Sequence, residues 1–191
     1  MLKGKKIGIA LTGSFCTINE ILKEIENIKN MGALITPIVS EHVKTMDTRF
    51  GKSKDTIKKL EDISKNNVIS SIQEAEQIGP KKMFDIMLIA PCTGNTMAKL
   101  ANSIIDTTVT MAAKAHLRNQ RPLVLSMATN DGLGNSAINI GKLLNLKNIY
   151  IVPFGQDSYD KKPNSLVSKS NLIVKTLEDA LENKQIQPIL L

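Results

Sequence analysis

A run of small and hydrogen-bonding side chains, Cys92 to Thr96, lies between an apolar segment and a helical pattern in the middle of the chain. The apolar segment, Ile86–Ala90, predicts a buried parallel strand, and Pro91 is expected to end it because proline fixes φ and lacks an N–H donor. Open α/β sheets bind ligands at the carboxyl ends of such strands, where free helix amides meet anions or ring carbonyls. The pattern therefore predicts a ligand site, whereas a simple N-cap at Asn95 or Thr96 would explain a single polar residue.

The first loop of the chain has the residue types of a phosphate-binding turn. Thr12, Gly13 and Ser14 follow the apolar segment Lys6–Leu11 and precede a helical pattern. Gly13 has no Cβ, so backbone amides can approach a phosphate closely, and Ser14 adds a hydroxyl donor. The G-x-G-x-x-G spacing of dinucleotide sites and the lysine of a P-loop are both absent, which disfavours NAD and ATP as ligands of this loop. A tight turn without a ligand explains the same residues equally well.

A third polar loop follows the apolar segment Leu123–Met127. It contains Asn130, whose carboxamide can donate to a substrate carboxylate and accept from a ring at the same time. Asp131 and Gly132, by contrast, are typical turn residues. Asn130 is therefore the functional candidate of this loop.

Strand, loop and helix patterns alternate along the chain, which predicts a parallel sheet with helices on both faces. We expect a three-layer, Rossmann-like, doubly wound α/β fold in a single domain of residues 1–191. Residues 153–171 are rich in turn formers and charge, and a loop of this length is expected to form either a mobile flap over the substrate or a solvated connection to the C-terminal helix. Within it, Lys161 and Lys162 carry charge suited to a dicarboxylate. The predicted strands are Lys6–Leu11, Leu34–Val39, Ile86–Ala90, Leu123–Met127 and Ile149–Val152, and the predicted helices are 18–31, 55–63, 95–102, 108–118, 135–145 and 176–183.

Composition limits the class of protein. The chain of 191 residues is 42% hydrophobic, enough for a full core, and its formal net charge of +7 is spread along the sequence. Aromatic residues make up 3% and no nucleic-acid motif is present, so nucleic acid is not the expected partner. No apolar run approaches the roughly 20 residues of a membrane span, and a cytoplasmic location is expected. Cys16 and Cys92 are expected to be buried thiols, without a disulfide or a metal site.

The loop at 91–96 resembles the Pro-Ala-Ser-Ala-Asn-Thr motif of the homo-oligomeric flavin-containing cysteine decarboxylases. Pro91, Asn95 and Thr96 match that motif, and the three residues between them are similar in size and polarity. One branch of this flavoprotein superfamily, the B subunits of dipicolinate synthases, is similar over nearly the whole chain. The similarity lies in the segments EAEQIGPKKMFDIMLIAPCTGNTMAKLANSIIDTTVTMAAKAHLRNQRP, TNDGLG and NIGKLLNLKNIYIVPFGQDSYDKKPNSLV.

The resemblance implies an FMN cofactor and a set of residues that hold it. These residues come from the first loop, the end of the second strand, the loop at 91–96 and the end of the fourth strand: Gly13, Ser14, Phe15, Ser40, Pro91, Thr93, Gly94, Asn95, Thr96 and Thr129. Asn95 and Asn130 are the implied catalytic residues. Lys161 and Lys162 are the candidates to bind substrate carboxylates.

The resemblance also implies an activity and partners. With the dehydrogenase-like A subunit of the synthase, which could supply NAD(P), such a chain would convert a lysine-pathway dihydrodipicolinate to dipicolinate in the mother cell during sporulation. A small dicarboxylate substrate and a homo-oligomer are expected. Two alternatives are a non-catalytic scaffold for the A subunit and an FMN-dependent decarboxylase. Decarboxylation is disfavoured because the histidine base of the cysteine decarboxylases is missing, the only histidines being His42 and His116.

Overall fold

Seven short strands form one sheet in the computed structural model, which describes all residues 1–191. The five strands that pair in parallel are rich in Ile, Leu and Val, residues that pack well on a pleated, buried surface. The strands are β1 (Lys6–Leu11), β2 (Leu34–Val39), β3 (Ile86–Thr93), β4 (Leu123–Thr129), β5 (Ile149–Ile151), β6 (Phe154–Ser158) and β7 (Lys162–Ser168).

Eight α-helices cover the sheet, and most present one apolar stripe to it. In the first helix, Ile18, Ile21, Leu22, Ile25 and Ile28 are buried at helical spacing. Two helices begin with reciprocal caps between side chains and backbone, at Ser71 with Glu74 and at Thr107 with Thr110. The helices are α1 (Ile18–Asn30), α2 (Glu41–Thr45), α3 (Ser53–Ser64), α4 (Ile72–Glu76), α5 (Gly94–Ala101), α6 (Thr108–Leu117), α7 (Ala137–Leu144) and α8 (Ile173–Leu181).

The strand order places a crevice between β1 and β3. β1 pairs in parallel with β2 on one side and with β3 on the other, β3 pairs in parallel with β4, and β4 with β5. The parallel part of the sheet therefore has the strand order 2-1-3-4-5. The chain passes from β1 to β2 on one side, whereas it passes from β3 to β4 on the other side. In open α/β sheets a crevice opens at this switch point, outside the carboxyl ends of the strands.

Two separate hydrophobic cores confirm the predicted three layers. One core of 23 buried residues joins one face of the sheet to α1, α3 and α8, and a second core of 23 joins the other face to α4, α5, α6 and α7. Neighbouring residues of a strand contribute to opposite cores, as in Ile86 and Met87. The doubly wound sheet is buried on both faces by this arrangement.

Pro91 does not end the third strand, contrary to the expectation from sequence. β3 continues to Thr93, and its register with β4 shifts by one residue between Ile89 and Cys92. Proline has no N–H to donate, so the ladder skips this position and resumes after it as a bulge. Because of this extra residue, Cys92 lies in the same core as Ile89. Helix α5 then begins directly at Gly94, and the polar loop predicted at 92–96 is the end of a strand followed by the first turn of a helix.

The segment 153–171 is not the irregular loop that its turn formers predicted. It holds the antiparallel hairpin of β6 and β7, and β7 joins the sheet by pairing with the last two residues of β4. The register shifts between Gln156 and Ser158, opposite Pro163, which cannot donate to the ladder. The Gln156 side chain donates to the Pro163 carbonyl at 3.0 Å and fills the gap. Within the hairpin, only the tip at 159–161 lies outside the two strands.

The outer edges of the sheet are occupied by short pieces of chain. At β5, the Gln185 side-chain amide accepts from the Ile151 amide at 2.8 Å and donates to the Ile151 carbonyl at 2.7 Å. At β6, Leu190 forms an isolated parallel bridge with Phe154, and at β2 Ile69 forms one with Ile38. A side chain or a single residue thus takes the place of a further strand at each edge.

Candidate functional site

An open cavity of about 570 Å³ lies at the carboxyl ends of β1, β3 and β4, under the β6–β7 hairpin. Its volume falls in the range of small-molecule and cofactor sites, roughly 300–1,000 Å³. Most of its lining is polar. The lining residues are Gly13, Ser14, Cys16, Thr17, Thr93, Gly94, Asn95, Ala128, Thr129, Asn130, Asp131, Asp157, Lys162, Ser165, Leu166 and Val167.

The first wall of the cavity is the turn after β1. The Ser14 amide donates to the Thr12 carbonyl at 2.8 Å, and the Thr17 hydroxyl donates to the Ser14 carbonyl at 2.8 Å. Phe15–Thr17 then forms a 3-10 turn that leads into α1. This turn exposes Cys16 to the cavity, so the prediction that Cys16 is buried was wrong. The Ser14 hydroxyl lies 3.9 Å from the Cys16 sulfur.

The second wall is the start of α5. Thr93 caps this helix, since its hydroxyl accepts from the Thr96 amide at 3.3 Å and lies 3.0 Å from the Thr96 hydroxyl. The amides of Gly94 and Asn95 are the first of the helix and have no carbonyl one turn earlier to bond. Both residues line the cavity. This wall can therefore donate hydrogen bonds to an anion or to a ring carbonyl.

The third wall is the turn after β4, organised by Asp131. One carboxylate oxygen of Asp131 accepts from the hydroxyls of Thr129 and Ser136, the latter at 2.9 Å. These hydrogen bonds, that of Thr129 foremost, hold the pKa of the Asp131 carboxyl below its usual value. Gly94 packs against the same cluster, and a Cβ there would lie 2.6 Å from the Thr129 hydroxyl oxygen. The second and third walls thus fit together only with glycine at position 94.

Charges in the cavity are few and nearly balanced. Asp131 and Asp157 are the acidic side chains of the lining, and Lys162 is its one basic side chain. Lys162 Nζ donates to a carboxylate oxygen of Asp157 at 2.8 Å across the hairpin. This hydrogen bond and the attraction of the two charges raise the pKa of Lys162. An anionic ligand would have to rely mainly on backbone amides and hydroxyls.

The structure brings most of the predicted site residues together and places the rest nearby. Lining the cavity are Gly13, Ser14, Thr93, Gly94, Asn95, Thr129, Asn130 and Lys162. Thr96 is buried behind Thr93, and Pro91 is buried in β3. Lys161 is exposed at the hairpin tip and does not belong to the lining.

Phe15 and Ser40 lie beside the cavity rather than in its lining. Phe15 contacts a separate small pocket formed with Val43 and Met46. The Ser40 side chain accepts from the Val43 amide at 3.4 Å and caps α2. A structural role thus accounts for Ser40 in this chain, and the implied contact of both residues with a cofactor remains an expectation.

Sequence reasoning missed several polar lining residues that the 3-10 turn, the turn after β4 and the hairpin bring to the cavity. These are Cys16, Thr17, Asp131, Asp157 and Ser165. A signal for Ser165 was present in its neighbours Leu166 and Val167, an apolar pair with a β-branched member that is typical of a short strand. The Ser165 hydroxyl donates to the Thr129 carbonyl at 3.1 Å and ties the hairpin to β4.

The remaining candidate groups for chemistry lie outside the cavity lining. His116 is buried, with Nε2 2.9 Å from the Pro122 carbonyl oxygen, and burial lowers its pKa to about 4. This contact gives His116 a structural role in the chain. His42 is exposed on α2. Cys92 is buried, and desolvation raises the pKa of its thiol.

Two further features of the structure bear on the class of protein. No three side chains of the types that ligate metals are gathered in one place. None of the helices is both long enough and apolar enough to cross a lipid bilayer.

Comparison with known proteins agrees with this geometry. The model of the family described as Flavoprotein matches residues 1–180. The chain belongs to the Flavoprotein family. A member from Bacillus subtilis (strain 168), the B subunit of dipicolinate synthase, is 50% identical over 189 residues, which cover 99% of this chain and 94% of the relative. This level of identity over nearly the full length places the chain in the branch of the family that the dipicolinate synthase B subunits form.

Solved structures show that flavoprotein relatives share the fold. The crystal structure of the B subunit of dipicolinate synthase from Bacillus halodurans C superposes with a TM-score of 0.91 at 46% identity, covering 100% of this chain and 97% of that chain. The FMN-dependent cysteine decarboxylase SpaF superposes with a TM-score of 0.70 at 14% identity, covering 96% of this chain and 98% of that chain. The predicted fold class is confirmed by these likenesses.

Proposed function

We propose that this chain is the flavin-binding B subunit of a dipicolinate synthase. Together with the A subunit of the synthase it would convert a dihydropyridine dicarboxylate to pyridine-2,6-dicarboxylate in the cytoplasm of a sporulating cell. The observation that carries the proposal is the polar cavity at the switch point of the sheet, in a chain that is 50% identical to a dipicolinate synthase B subunit over 99% of its length. The name of that relative, one subunit of a synthase, supports a requirement for a second polypeptide.

The walls of the cavity fit a flavin mononucleotide. Asn95 and the free amides at the start of α5 can meet the carbonyls of a flavin ring, and Gly13 with Ser14 can meet its phosphate. Charge does not contradict this assignment, because amides and hydroxyls hold phosphates without a paired cation. FMN bound here would accept the electrons that leave a dihydropyridine ring when it becomes aromatic. NAD(P), if it takes part, would bind the A subunit, since the first loop of this chain lacks a dinucleotide fingerprint.

The substrate would be held where Asn130 and Lys162 face the same cavity. The Asn130 carboxamide can donate to one carboxylate of the substrate, and the Lys162 ammonium can pair with the other. Lys161, at the tip of the hairpin, lies outside this arrangement. Asn95 and Asn130 would orient the ring, and the proton released on aromatisation would pass to water or to a group of the A subunit, because no histidine lines the cavity.

The hairpin that replaces the predicted loop would act as the cover of this site. Asp157, Lys162, Ser165, Leu166 and Val167 of the hairpin line the cavity from above. Its base is fixed by the Ser165 bond to β4, so movement would be confined to the tip. Limited proteolysis of the tip, with and without pyridine-2,6-dicarboxylate, measures this closure.

A scaffold without catalytic function is the second candidate. It is favoured by one observation, the pairing of Lys162 with Asp157, which leaves the cavity without a free cation for a dianionic substrate. An FMN-dependent decarboxylase is a weaker candidate, because the cavity contains no histidine to act as base. Binding of FMN separates the first two candidates, since a scaffold has no need of it.

Two measurements test the proposal. An absorbance scan of the pure chain, before and after incubation with FMN, is expected to show the yellow, near-visible absorbance band of a bound flavin. Colourless protein that cannot be reconstituted would favour the scaffold. Dipicolinate formation is then assayed with each of the two subunits separately and with their mixture. We expect product only from the mixture, and product from this chain in isolation would remove the requirement for the A subunit.

A further inference from the structure

The one cation of the cavity is already neutralised by a carboxylate of the chain itself. Lys162 is the single basic side chain among the 16 lining residues, and its Nζ lies 2.8 Å from Asp157 Oδ2. Asp157 and Lys162 stand on opposite strands of the hairpin, next to its tip. Both side chains also face the cavity. A ligand that approaches Lys162 therefore meets a carboxylate in the position that its own carboxylate would take.

The lining as a whole carries more negative than positive charge. Asp131 and Asp157 oppose Lys162, and no arginine contributes to the cavity. The Asp131 carboxylate is fixed by the hydroxyls of Thr129 and Ser136, so it cannot turn away from an incoming anion. Asp157 makes no such contact within the chain and is bonded only to Lys162. Of the two carboxylates, only that of Asp157 can turn out of the cavity without breaking hydrogen bonds to hydroxyl groups.

The local backbone allows the Asp157 side chain to rotate out of the cavity. Its side chain is 39% exposed and therefore already partly hydrated, so rotation into solvent loses little beyond the pairing with Lys162. It lies where the register of the hairpin shifts, between the pairs Gln156 with Leu166 and Ser158 with Lys162. Residues at such irregularities are not fixed by ladder hydrogen bonds on both sides. An exposed ion pair of this kind contributes little to stability and is readily exchanged.

We propose that Asp157 is an internal competitor for the substrate carboxylate and selectively weakens the binding of dicarboxylates to the site. In the free protein the Asp157 carboxylate is paired with the Lys162 ammonium. On binding, a carboxylate of the ligand takes the place of the Asp157 carboxylate, and the Asp157 side chain turns to solvent. A ligand with a single carboxylate can bind the amides of the other walls but lacks the second group that displaces Asp157. This inference rests on the proposed function, because it takes a small dicarboxylate as the ligand.

The test compares two probes, pyridine-2,6-dicarboxylate and pyridine-2-carboxylate. Their binding is measured by titration calorimetry on the purified full chain in the presence of FMN. Removal of the competitor in Asp157→Asn is expected to tighten the dicarboxylate by about fivefold to tenfold, and the monocarboxylate by less than about twofold. The matched control is Asp160→Asn, which removes the same charge from the exposed tip without touching Lys162, and it is expected to change neither affinity by more than about 1.5-fold.

A second background separates competition from general repulsion. Lys162→Met removes the group for which both carboxylates compete, so Asp157→Asn should give no gain in the Lys162→Met chain. A gain of the same size in that background would show that Asp157 acts by its charge alone and would overturn the proposal. Unchanged or weaker dicarboxylate binding in Asp157→Asn would overturn it as well. Absence of dicarboxylate binding in every variant would also overturn the proposal.

Failure of this inference can be told apart from failure of the proposed function. Dipicolinate formation by the wild-type chain together with the A subunit is measured in parallel. If product forms and Asp157→Asn binds the dicarboxylate no better than wild type, only the role of Asp157 is refuted. If no product forms, the proposed function falls, whereas the calorimetric comparison still reports directly whether Asp157 competes for Lys162.

Discussion

The Thr12 hydroxyl donates a hydrogen bond of 2.7 Å to the Pro91 carbonyl and so joins the carboxyl ends of β1 and β3. The same hydroxyl accepts from the Thr93 amide at 3.0 Å, and the Thr12 amide donates to the Pro91 carbonyl at 3.3 Å. Thr12 is buried, so water cannot replace these bonds. One threonine therefore bridges the switch point of the sheet where the bulge at Pro91 interrupts the regular ladder.

Thr12→Val is expected to destabilise the fold by about 1–3 kcal/mol, because the isosteric side chain leaves the part-buried Thr93 amide without its acceptor and the Pro91 carbonyl without one of its two donors. Thr12→Ser keeps the hydroxyl and should lose well under half of that amount. Urea unfolding followed by circular dichroism measures both. Equal stability of Thr12→Val and wild type would show that these hydrogen bonds carry no net free energy.

Gly13→Ala and Gly94→Ala should separate a ligand requirement from a packing requirement. A Cβ at Gly13 would meet the His42 Cβ at 3.5 Å, an ordinary contact, so stability should change by less than about 0.5 kcal/mol. A Cβ at Gly94 would lie 2.6 Å from the Thr129 hydroxyl oxygen, and overpacking should cost about 1–3 kcal/mol.

FMN titration completes this comparison. If backbone amides of the first loop contact the phosphate, Gly13→Ala should weaken FMN binding by about tenfold while the melting temperature is unchanged. If Gly13→Ala binds FMN with wild-type affinity, the phosphate does not contact this loop.

Ser14 and Ser40, paired by the family resemblance, should behave differently when each is changed to alanine. Ser14 lines the cavity, so Ser14→Ala should weaken FMN more than riboflavin, which lacks the phosphate. Ser40 caps α2, so Ser40→Ala should cost about 1 kcal/mol of stability and leave the ratio of the two affinities unchanged. Fluorescence quenching of the two flavins gives this ratio. A change in the ratio of the FMN and riboflavin affinities in Ser40→Ala would show that Ser40 contributes to the binding of the cofactor phosphate.

His116 should make stability depend on pH between about 6.5 and 4. Burial lowers its pKa to about 4, so below 6.5 the unfolded chain takes up a proton that the folded chain refuses. Stability is thus complete above 6.5 and falls as the pH drops to 4, by about 3 kcal/mol at most. His116→Gln can still donate to the Pro122 carbonyl and should lose correspondingly less stability over this range. Parallel slopes for the two proteins would contradict the lowered pKa.

Much of the fold was predictable because its strands follow apolar runs and its site lies at strand ends. β1 and β2 were predicted at their observed bounds, and Gly13, Asn95 and Asn130 were placed at one edge by the rule for open α/β sheets. The β6–β7 hairpin was not predicted, because its polar residues and Pro163 resemble a loop when read alone. Its strand character comes from pairing with β4, a contact between distant parts of the sequence.

The charge balance of the cavity could not be predicted from sequence either. Lys161 and Lys162 are equivalent neighbours in the sequence, yet only Lys162 faces the cavity, because it begins β7 whereas Lys161 belongs to the turn at the tip. The pairing of Lys162 with Asp157 depends on how the hairpin closes. Cys16 reached the cavity because the chain turns through a 3-10 segment that apolar periodicity does not predict.

The occupied edges of the sheet restrict how this chain can assemble. A partner that extended the sheet would have to displace the Gln185 amide from Ile151, the Leu190 bridge from Phe154 or the Ile69 bridge from Ile38. Each of these already bonds some of the outward-facing backbone groups that a new strand would need. Copies of the chain, and any other polypeptide that binds it, are therefore expected to meet it through helix faces and loops, with no β-sheet running continuously from one polypeptide into the next.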